Sequence, residues 1–133
     1  VLALKPMTYM NESGRAVSAA KLFFKISTNN IIILHDEIDI PSGTLQVKKG
    51  GGHAGHNGVK NIHSHIGSNY LRVRIGVGRP SQKNEVVNYV LTDFSQKDEI
   101  WLGPLIQDLA THIGLVIRED GATFKQKIRQ FDE

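Results

Sequence analysis

The chain contains no cysteine, which excludes a disulfide framework and any thiolate metal site. No apolar run approaches the length that a membrane span needs, and no segment has the pattern of a secretory signal peptide. Internal repeats and low-complexity segments are also lacking. These absences favour a cytoplasmic protein without a membrane partner, and a length of 133 residues fits a single domain over residues 1–133.

What is present is an ordinary soluble composition with a mildly basic balance. The hydrophobic fraction is 40%, and the formal net charge is +3. This charge permits an RNA or phosphate partner but does not require one. Residues 1–5 are mostly apolar and predict a strand that begins at the first residue, so we expect further sequence upstream.

Strand and helix patterns alternate along the chain, which predicts an α/β fold with a mixed β-sheet. Asn11 or Ser13 should cap a helix that runs to about Lys25, with Val17, Phe23 and Phe24 on its apolar stripe. The unbroken apolar run at residues 31–34 predicts a strand covered on both faces. Further strands are predicted at 44–48 and 71–77, and helices at 57–65, behind Ser95 and at 123–131.

The densest chemical signal is the segment from Gly50 to Gly58, in which nine residues include five glycines and two histidines. Glycine loses more backbone entropy on folding than any other residue, so such a cluster indicates close approach of the backbone to another group. Lys48 and Lys49 immediately precede it. The segment therefore predicts a loop that binds an anionic or ester-bearing ligand, against the alternative of a flexible connection.

His35, Asp36 and Glu37 follow the strand predicted at 31–34. Side chains alternate along an extended backbone, so Asp36 should point away from His35 and Glu37. A carboxylate here can orient an imidazole and raise its basicity, whereas the alternative is a solvated turn. We expect the solvated turn for Glu37 and Asp39, and for Asp36 the sequence leaves both possibilities open.

Three further sets of side chains have competing interpretations. His53 and His56 suggest a metal site but lack a third ligand and a rigid frame, and His63 and His65 are expected to face solvent on a helix. Asn57 can cap a helix or hold a substrate carbonyl or water. Basic side chains surround the glycine-rich segment. Two of them, Arg72 and Arg74, share one face of a strand and can either bind a phosphate or lie solvated. The basic residues around the segment are Lys48, Lys49, Lys60, Arg72, Arg74 and Arg79.

Four motifs closely resemble those of the bacterial peptidyl-tRNA hydrolase family, in the same order and at the same spacing. They are KPMTYMNESG at residues 5–14, LHDEID at 34–39, GGGHAGHNG at 50–58 and LRVRIGVG at 71–78. The resemblance implies a monomeric enzyme in which helices sandwich a mixed sheet, without metal or cofactor. Its substrate would be peptidyl-tRNA from stalled or dropped-off translation products, cleaved at the ester between the peptide and the 3′ ribose so that the tRNA is recycled.

The resemblance also implies roles for particular residues. Asp36 resembles the aspartate that supports the catalytic histidine, while Asn11 and Asn57 resemble asparagines that bind substrate or position water. Tyr9 and Met10 would shape the peptide side of the site, and His56 would lie beside Asn57. Lys48 and Arg74 are similar to a basic pair that clamps a tRNA phosphate.

The family's general base is a histidine in an Arg-His-Asn motif, which lies before the region that this chain resembles. His35, His53 and His56 do not match that histidine by position. We therefore expect the chain to be a C-terminal portion of the family's fold, incomplete at its N-terminus. Two alternatives stay open: an inactive RNA-binding module with the same fold, and a metal hydrolase that uses His53 and His56.

Overall fold

The structure is a computed structural model that describes residues 3–6, 9, 12–53, 55–79 and 99–117. Within these ranges, three α-helices and three strands follow one another along the chain. The helices are α1 (Ser13–Phe23), α2 (Asn57–Ile66) and α3 (Glu99–Ile117), and the strands are β1 (Ile32–Glu37), β2 (Leu45–Lys49) and β3 (Leu71–Gly76). None of the helices in this described part is long and apolar enough to cross a membrane.

The three strands form one sheet in the order β1-β3-β2. The backbone N–H groups of Leu71 and Val77 donate to the carbonyls of Ile31 and Glu37, so β1 and β3 pair as parallel strands. Across β3 and β2, Gly76 pairs with Thr44 while Tyr70 pairs with Gly50, which is the antiparallel pattern. The predicted α/β class with a mixed sheet is confirmed.

The chain divides into two compact units. The first unit comprises Val1–His35 and Lys48–Val73. Its core contains Val17 of α1, Ile62 of α2 and the fully buried Tyr70, with three partly buried isoleucines around them. These side chains hold α1 against α2, and the glycine-rich segment belongs to the same unit.

The start of α1 is stabilised by a residue distant in sequence. Glu12 occupies the N-cap position without a side-chain hydrogen bond. Instead, the backbone N–H of Gly14, which at the start of a helix has no acceptor within the helix, donates to Asn61 Oδ1 of α2 over 2.7 Å. A Cβ atom at Gly14 would also lie 2.6 Å from His65 Nδ1, so glycine lets the two helices approach closely. The predicted cap at Ser13 is therefore wrong, and Asn11 lies outside the described residues.

The end of α1 departs from the predicted apolar stripe. Phe23 is 80% exposed and Phe24 is 52% exposed, although Val17 is buried as predicted. The helix stops because Lys25 adopts a left-handed backbone conformation with a φ of 54°. The N–H groups of Lys25 and Ile26 then return to the carbonyls of Leu22 and Lys21, as in a Schellman motif.

The second unit comprises Asp36–Val47 and Arg74–Glu133. The turn after β1 packs tightly on the end of β3: the Ser42 hydroxyl donates to the Val77 carbonyl over 2.9 Å. A Cβ atom at Gly76 would collide with the Pro41 carbonyl and the Ile40 side chain. Ile40 and Val77 are themselves buried, so this turn forms a small core of its own.

Three other sequence predictions need correction or lie outside the description. Residues 3–5 form no strand and are exposed. Leu34 of β1 is 49% exposed, so the prediction that both faces of this strand are covered is wrong. On α3, Leu105 and Leu109 are buried, and Ile106 is 54% exposed. Ser95 and the segment predicted as a last helix at 123–131 lie outside the described residues.

Candidate functional site

The glycine-rich segment begins where β2 ends. Gly50 and Gly51 have φ angles of 70° and 82°, a backbone conformation that side-chain-bearing residues rarely adopt. The chain therefore turns out of the strand within two residues. Its carbonyls do not face solvent unpaired, because side chains from β3 and α2 bind three in succession.

Arg72 supplies two of these contacts. Its Nη2 atom donates to the Gly50 carbonyl over 3.0 Å and to the Gly52 carbonyl over 2.9 Å. The side chain is 2% exposed. The predicted solvated or phosphate-binding face is therefore wrong for Arg72: its guanidinium is buried against the loop and fixes the loop backbone.

His63 supplies the third contact; it is partly buried and both ring nitrogens have partners, so it is not the fully solvent-facing side chain that was predicted. Its Nε2 lies 3.0 Å from the Gly51 carbonyl, and its Nδ1 lies 2.7 Å from the Tyr70 hydroxyl. Burial lowers the pKa of His63 below 6.5, Arg72 and His53 add to this effect, and the hydrogen bond to Gly51 opposes it. Burial raises the pKa of Tyr70 to about 12, so its hydroxyl remains a donor at neutral pH.

Lys48 lies over the same loop. A Cβ atom at Gly51 would be 2.6 Å from Lys48 Cε and 2.9 Å from Lys48 Nζ. The lysine side chain thus occupies the space that the missing Gly51 side chain leaves. Lys48 and its neighbour Lys49 are both exposed, so two positively charged side chains immediately precede the loop.

The first turn of α2 separates two roles that the sequence left in competition. His56, and not Asn57, is the N-cap residue, and its Nδ1 accepts the Val59 N–H over 3.2 Å. Asn57 is the exposed first residue of the helix. The Asn57 amide is therefore not used as a cap and can face a ligand. The cap at His56 was missed because histidine is an uncommon capping residue.

Within the first unit, the His56 ring also contacts β1. The ring centroids of His35 and His56 are 5.0 Å apart at an interplanar angle of 73°. His53, in contrast, accepts the Gly55 N–H at its Nδ1 over 3.1 Å. Among the described residues, no group of three His, Cys, Asp or Glu side chains is arranged to hold a metal ion.

The end of β1 shows the predicted alternation. His35 and Glu37 are buried, and Asp36 between them is only partly buried. The expectation of a solvated Glu37 is wrong, because its Oε1 accepts from Arg74 Nη2 over 2.7 Å and the Glu37 side chain is 4% exposed. Asp39 accepts a hydrogen bond from Arg79 Nε over 2.7 Å.

This ion pair bears on the predicted phosphate clamp. Arg74 donates to Glu37 and also to Gln46 Oε1 over 2.9 Å, and its side chain is 15% exposed. Its charge is therefore already balanced by a carboxylate, whereas Lys48 is exposed. A contact of Arg74 with phosphate stays a prediction, as do the roles of Asp36, Asn57 and His56.

Two predicted residues lie outside the description, and one is placed at the surface. Met10 and Asn11 are not among the described residues. Tyr9 is 84% exposed, and its carbonyl accepts the Glu12 N–H over 2.9 Å. The first unit thus contains Tyr9, Lys48, His56 and Asn57, whereas Asp36 and Arg74 belong to the second unit. Exposed lysines and an uncommitted amide beside a fixed glycine loop can bind an anion and a carbonyl group.

Comparison with known proteins gives a consistent result. The family model for peptidyl-tRNA hydrolase matches residues 1–133. A peptidyl-tRNA hydrolase of Cereibacter sphaeroides (strain ATCC 17029 / ATH 2.4.9) is 46% identical over 128 residues, which are 96% of this chain and 57% of that protein. A peptidyl-tRNA hydrolase of Rhodopseudomonas palustris (strain TIE-1) is 48% identical over 128 residues, covering 96% of this chain and 62% of that protein.

A solved structure agrees with these sequence relatives. The crystal structure of peptidyl-tRNA hydrolase from Acinetobacter baumannii superimposes with a TM-score of 0.84 at 35% identity. The match covers 96% of this chain and 65% of that one. The chain thus spans less than two thirds of the length of each of these relatives. With a family model that matches its whole length, the chain belongs to the peptidyl-tRNA hydrolase family.

Proposed function

We propose that this chain binds peptidyl-tRNA in the cytoplasm, as a monomer, and takes part in hydrolysis of the ester between peptide and tRNA. The proposal rests on the start of α2, where His56 makes the cap hydrogen bond and Asn57 is exposed. An asparagine that is released from capping can donate to a carbonyl oxygen and accept from a water molecule.

The chemistry assigned to each group rests on the resemblance and on the chemistry of its side chain. Water attacks the ester carbonyl after a general base removes its proton. Asn57, and Asn11 by resemblance, would donate to the oxygen on which negative charge develops. Asp36 would orient the base, while Tyr9 and Met10 would contact the peptide. Lys48 is exposed beside the loop and would bind a phosphate, with Arg74 as the second cation by resemblance.

The base itself is assigned by resemblance to a histidine in an Arg-His-Asn motif. The exposed Lys48 and Lys49 beside the loop equally support a second candidate function, in which the chain binds tRNA without turnover. The two candidates share the binding surface and differ only in whether ester hydrolysis occurs.

The test is a paired measurement on the 133-residue chain. Binding of an N-blocked aminoacyl-tRNA and release of its blocked amino acid are followed for the wild type, Asp36→Ala and Asn57→Ala. Asn69→Ala, another exposed asparagine of the described chain, is the matched control. Under the hydrolase candidate, we expect losses of about a hundredfold in kcat for the two site variants and none for the control.

Each outcome decides between the candidates. Turnover that survives unchanged in Asp36→Ala and Asn57→Ala would contradict the assigned site. Tight binding without any turnover would favour the RNA-binding candidate, and a wild type that does neither would contradict both. Binding is separated from chemistry by Lys48→Ala, which should raise the Kd about tenfold and reduce the salt slope by about 1.

A further inference from the structure

The connection from Tyr70 through His63 to Gly51 has a direction that its chemistry fixes. A carbonyl oxygen only accepts hydrogen bonds, so the proton must be on His63 Nε2, which donates to Gly51 over 3.0 Å. In the neutral imidazole, Nδ1 is then an acceptor and takes the Tyr70 proton over 2.7 Å. Tyr70 thereby selects the tautomer that binds the loop.

The surroundings favour this neutral form. Tyr70 is fully buried, and its OH group has the His63 ring as its acceptor. Besides Tyr70, the charged or titratable groups that act on the His63 ring are Arg72 and His53, and both disfavour a positive charge on it. The centroids of the His53 and His63 rings are 6.1 Å apart. A protonated His63 would also donate at Nδ1, so that Tyr70 would have to turn its own proton elsewhere.

The carbonyl that His63 binds belongs to the residue over which Lys48 lies. Lys48 Cε and Nζ would be 2.6 Å and 2.9 Å from a Cβ atom at Gly51. A rotation of the Gly50 to Gly52 backbone would therefore move the surface against which the lysine stem packs. Arg72 holds the carbonyls on either side, so His63 supplies the middle one of three anchors.

We propose that Tyr70 and His63 are positioning residues for substrate: they fix the Gly51 carbonyl and so hold Lys48 in place for a tRNA phosphate. The inference rests on the proposed function for the role of Lys48, while the anchor itself is a property of the free chain. Neither side chain touches the substrate in this arrangement. Their effect passes through the loop to the lysine.

The experiment compares bulk deacylated tRNA binding to the wild-type chain, His63→Leu, His63→Gln and Tyr70→Phe, each at several salt concentrations. His63→Leu should weaken binding about fivefold, because the anchor is lost. His63→Gln retains one donor and one acceptor and should bind within about twofold of the wild type. The control is His65→Leu, an exposed histidine on the same helix whose Nδ1 lies 2.9 Å from the Asn61 carbonyl.

A merely structural role is distinguished by the salt slope and by a double variant. His63→Leu should shift the slope toward that of Lys48→Ala, and in a Lys48→Ala background it should have no further effect on affinity. A variant that is only less stable would keep the wild-type salt slope of tRNA binding once its affinity is corrected for the fraction of folded chain. Unaltered affinity and slope in His63→Leu, with normal wild-type binding, would overturn the positioning role and leave the proposed function intact.

The free chain gives an independent readout. Nitrogen-15 NMR should find His63 as the neutral Nε2–H tautomer at neutral pH, and Tyr70→Phe should shift the amide signals of the loop. An Nδ1–H tautomer, or loop amides that do not respond to Tyr70→Phe, would overturn the anchor. Wild-type chain that shows the expected tautomer but binds no tRNA would instead overturn the proposed function, and the role of Lys48 with it.

Discussion

Arg72 and Arg74 are two residues apart on β3, yet the regions around them are built on different interactions. Arg72 is buried against backbone carbonyls of the glycine loop, and Arg74 is paired with the buried carboxylate of Glu37. In the first region a charge stabilises a backbone shape. In the second, two opposite charges compensate each other. The difference teaches that neighbouring basic residues on a strand need not form one basic surface.

The largest expected effect comes from removing the ion pair between Arg74 and Glu37. Arg74→Met leaves the Glu37 carboxylate buried without its cation, and should lower the free energy of unfolding by about 3 kcal/mol in urea titrations. Adding Glu37→Leu should recover most of that loss, since the double variant removes both charges. Arg79→Met is the control: its ion pair with Asp39 is half-exposed, and we expect a loss below about 1 kcal/mol.

The next largest effect comes from removing the contacts of Arg72 to the loop carbonyls. Arg72→Met should cost about 2 kcal/mol in the same titration, because two loop carbonyls lose their donor. No second substitution can compensate here, since the partners are backbone groups. Recovery of Arg72→Met by a change at Glu37 would contradict the separation of the two regions.

A smaller effect sharpens the description of the loop. Gly51→Ala should cost about 1 kcal/mol, because alanine is disfavoured at a φ of 82° and its Cβ would press on Lys48. Gly52→Ala is the matched control, since a Cβ atom there meets no other group within 4 Å. Equal melting temperatures for the two variants would contradict the conformation given for Gly51.

The smallest effect is the pH dependence of the first region. The pKa of His63 is lower in the folded chain than its ordinary value of 6.5. The stability that depends on neutral His63 is therefore fully present above that value and is lost as the pH falls through the lowered pKa. Urea titrations between about pH 5 and pH 7 should show a steeper loss in the wild type than in His63→Gln.

The control for this pH series is His65→Gln, which should retain the wild-type slope. The second region should contribute no comparable difference, since His63 and its partners belong to the first unit. A His63→Gln variant with the same slope as the wild type would show that another histidine carries the dependence.

The sequence predicted what depends on local order and missed what depends on distant partners. Alternation predicted that His35 and Glu37 share one side of β1 opposite Asp36, and the helix predicted at 57–65 is α2, which ends before Gly67 at a φ of 78°. The partner of Glu37 lies 37 residues away, so its burial as an ion pair had no local signal. For the same reason the Asn61 contact to α1, 47 residues apart, was not foreseen.

The site shows the same limit. The glycine pattern predicted a loop whose backbone closely approaches another group, and at Gly51 the Lys48 side chain occupies the space that a Cβ atom would need. Which side chains bind its carbonyls depended on the pairing of β2 with β3 and on the packing of α2. Arg72 looked like one half of a basic pair because only sequence spacing was visible.

The lysine at the end of α1 is a compromise between conformational strain and colloidal behaviour. A side-chain-bearing residue at a φ of 54° costs about 1 kcal/mol relative to glycine. The same residue brings a positive charge next to Phe23 and Phe24, whose rings are exposed and lie 4.9 Å apart. Glycine would relax the helix end but remove one of the two positive charges, at Lys21 and Lys25, that flank this exposed aromatic pair and oppose self-association in concentrated solution.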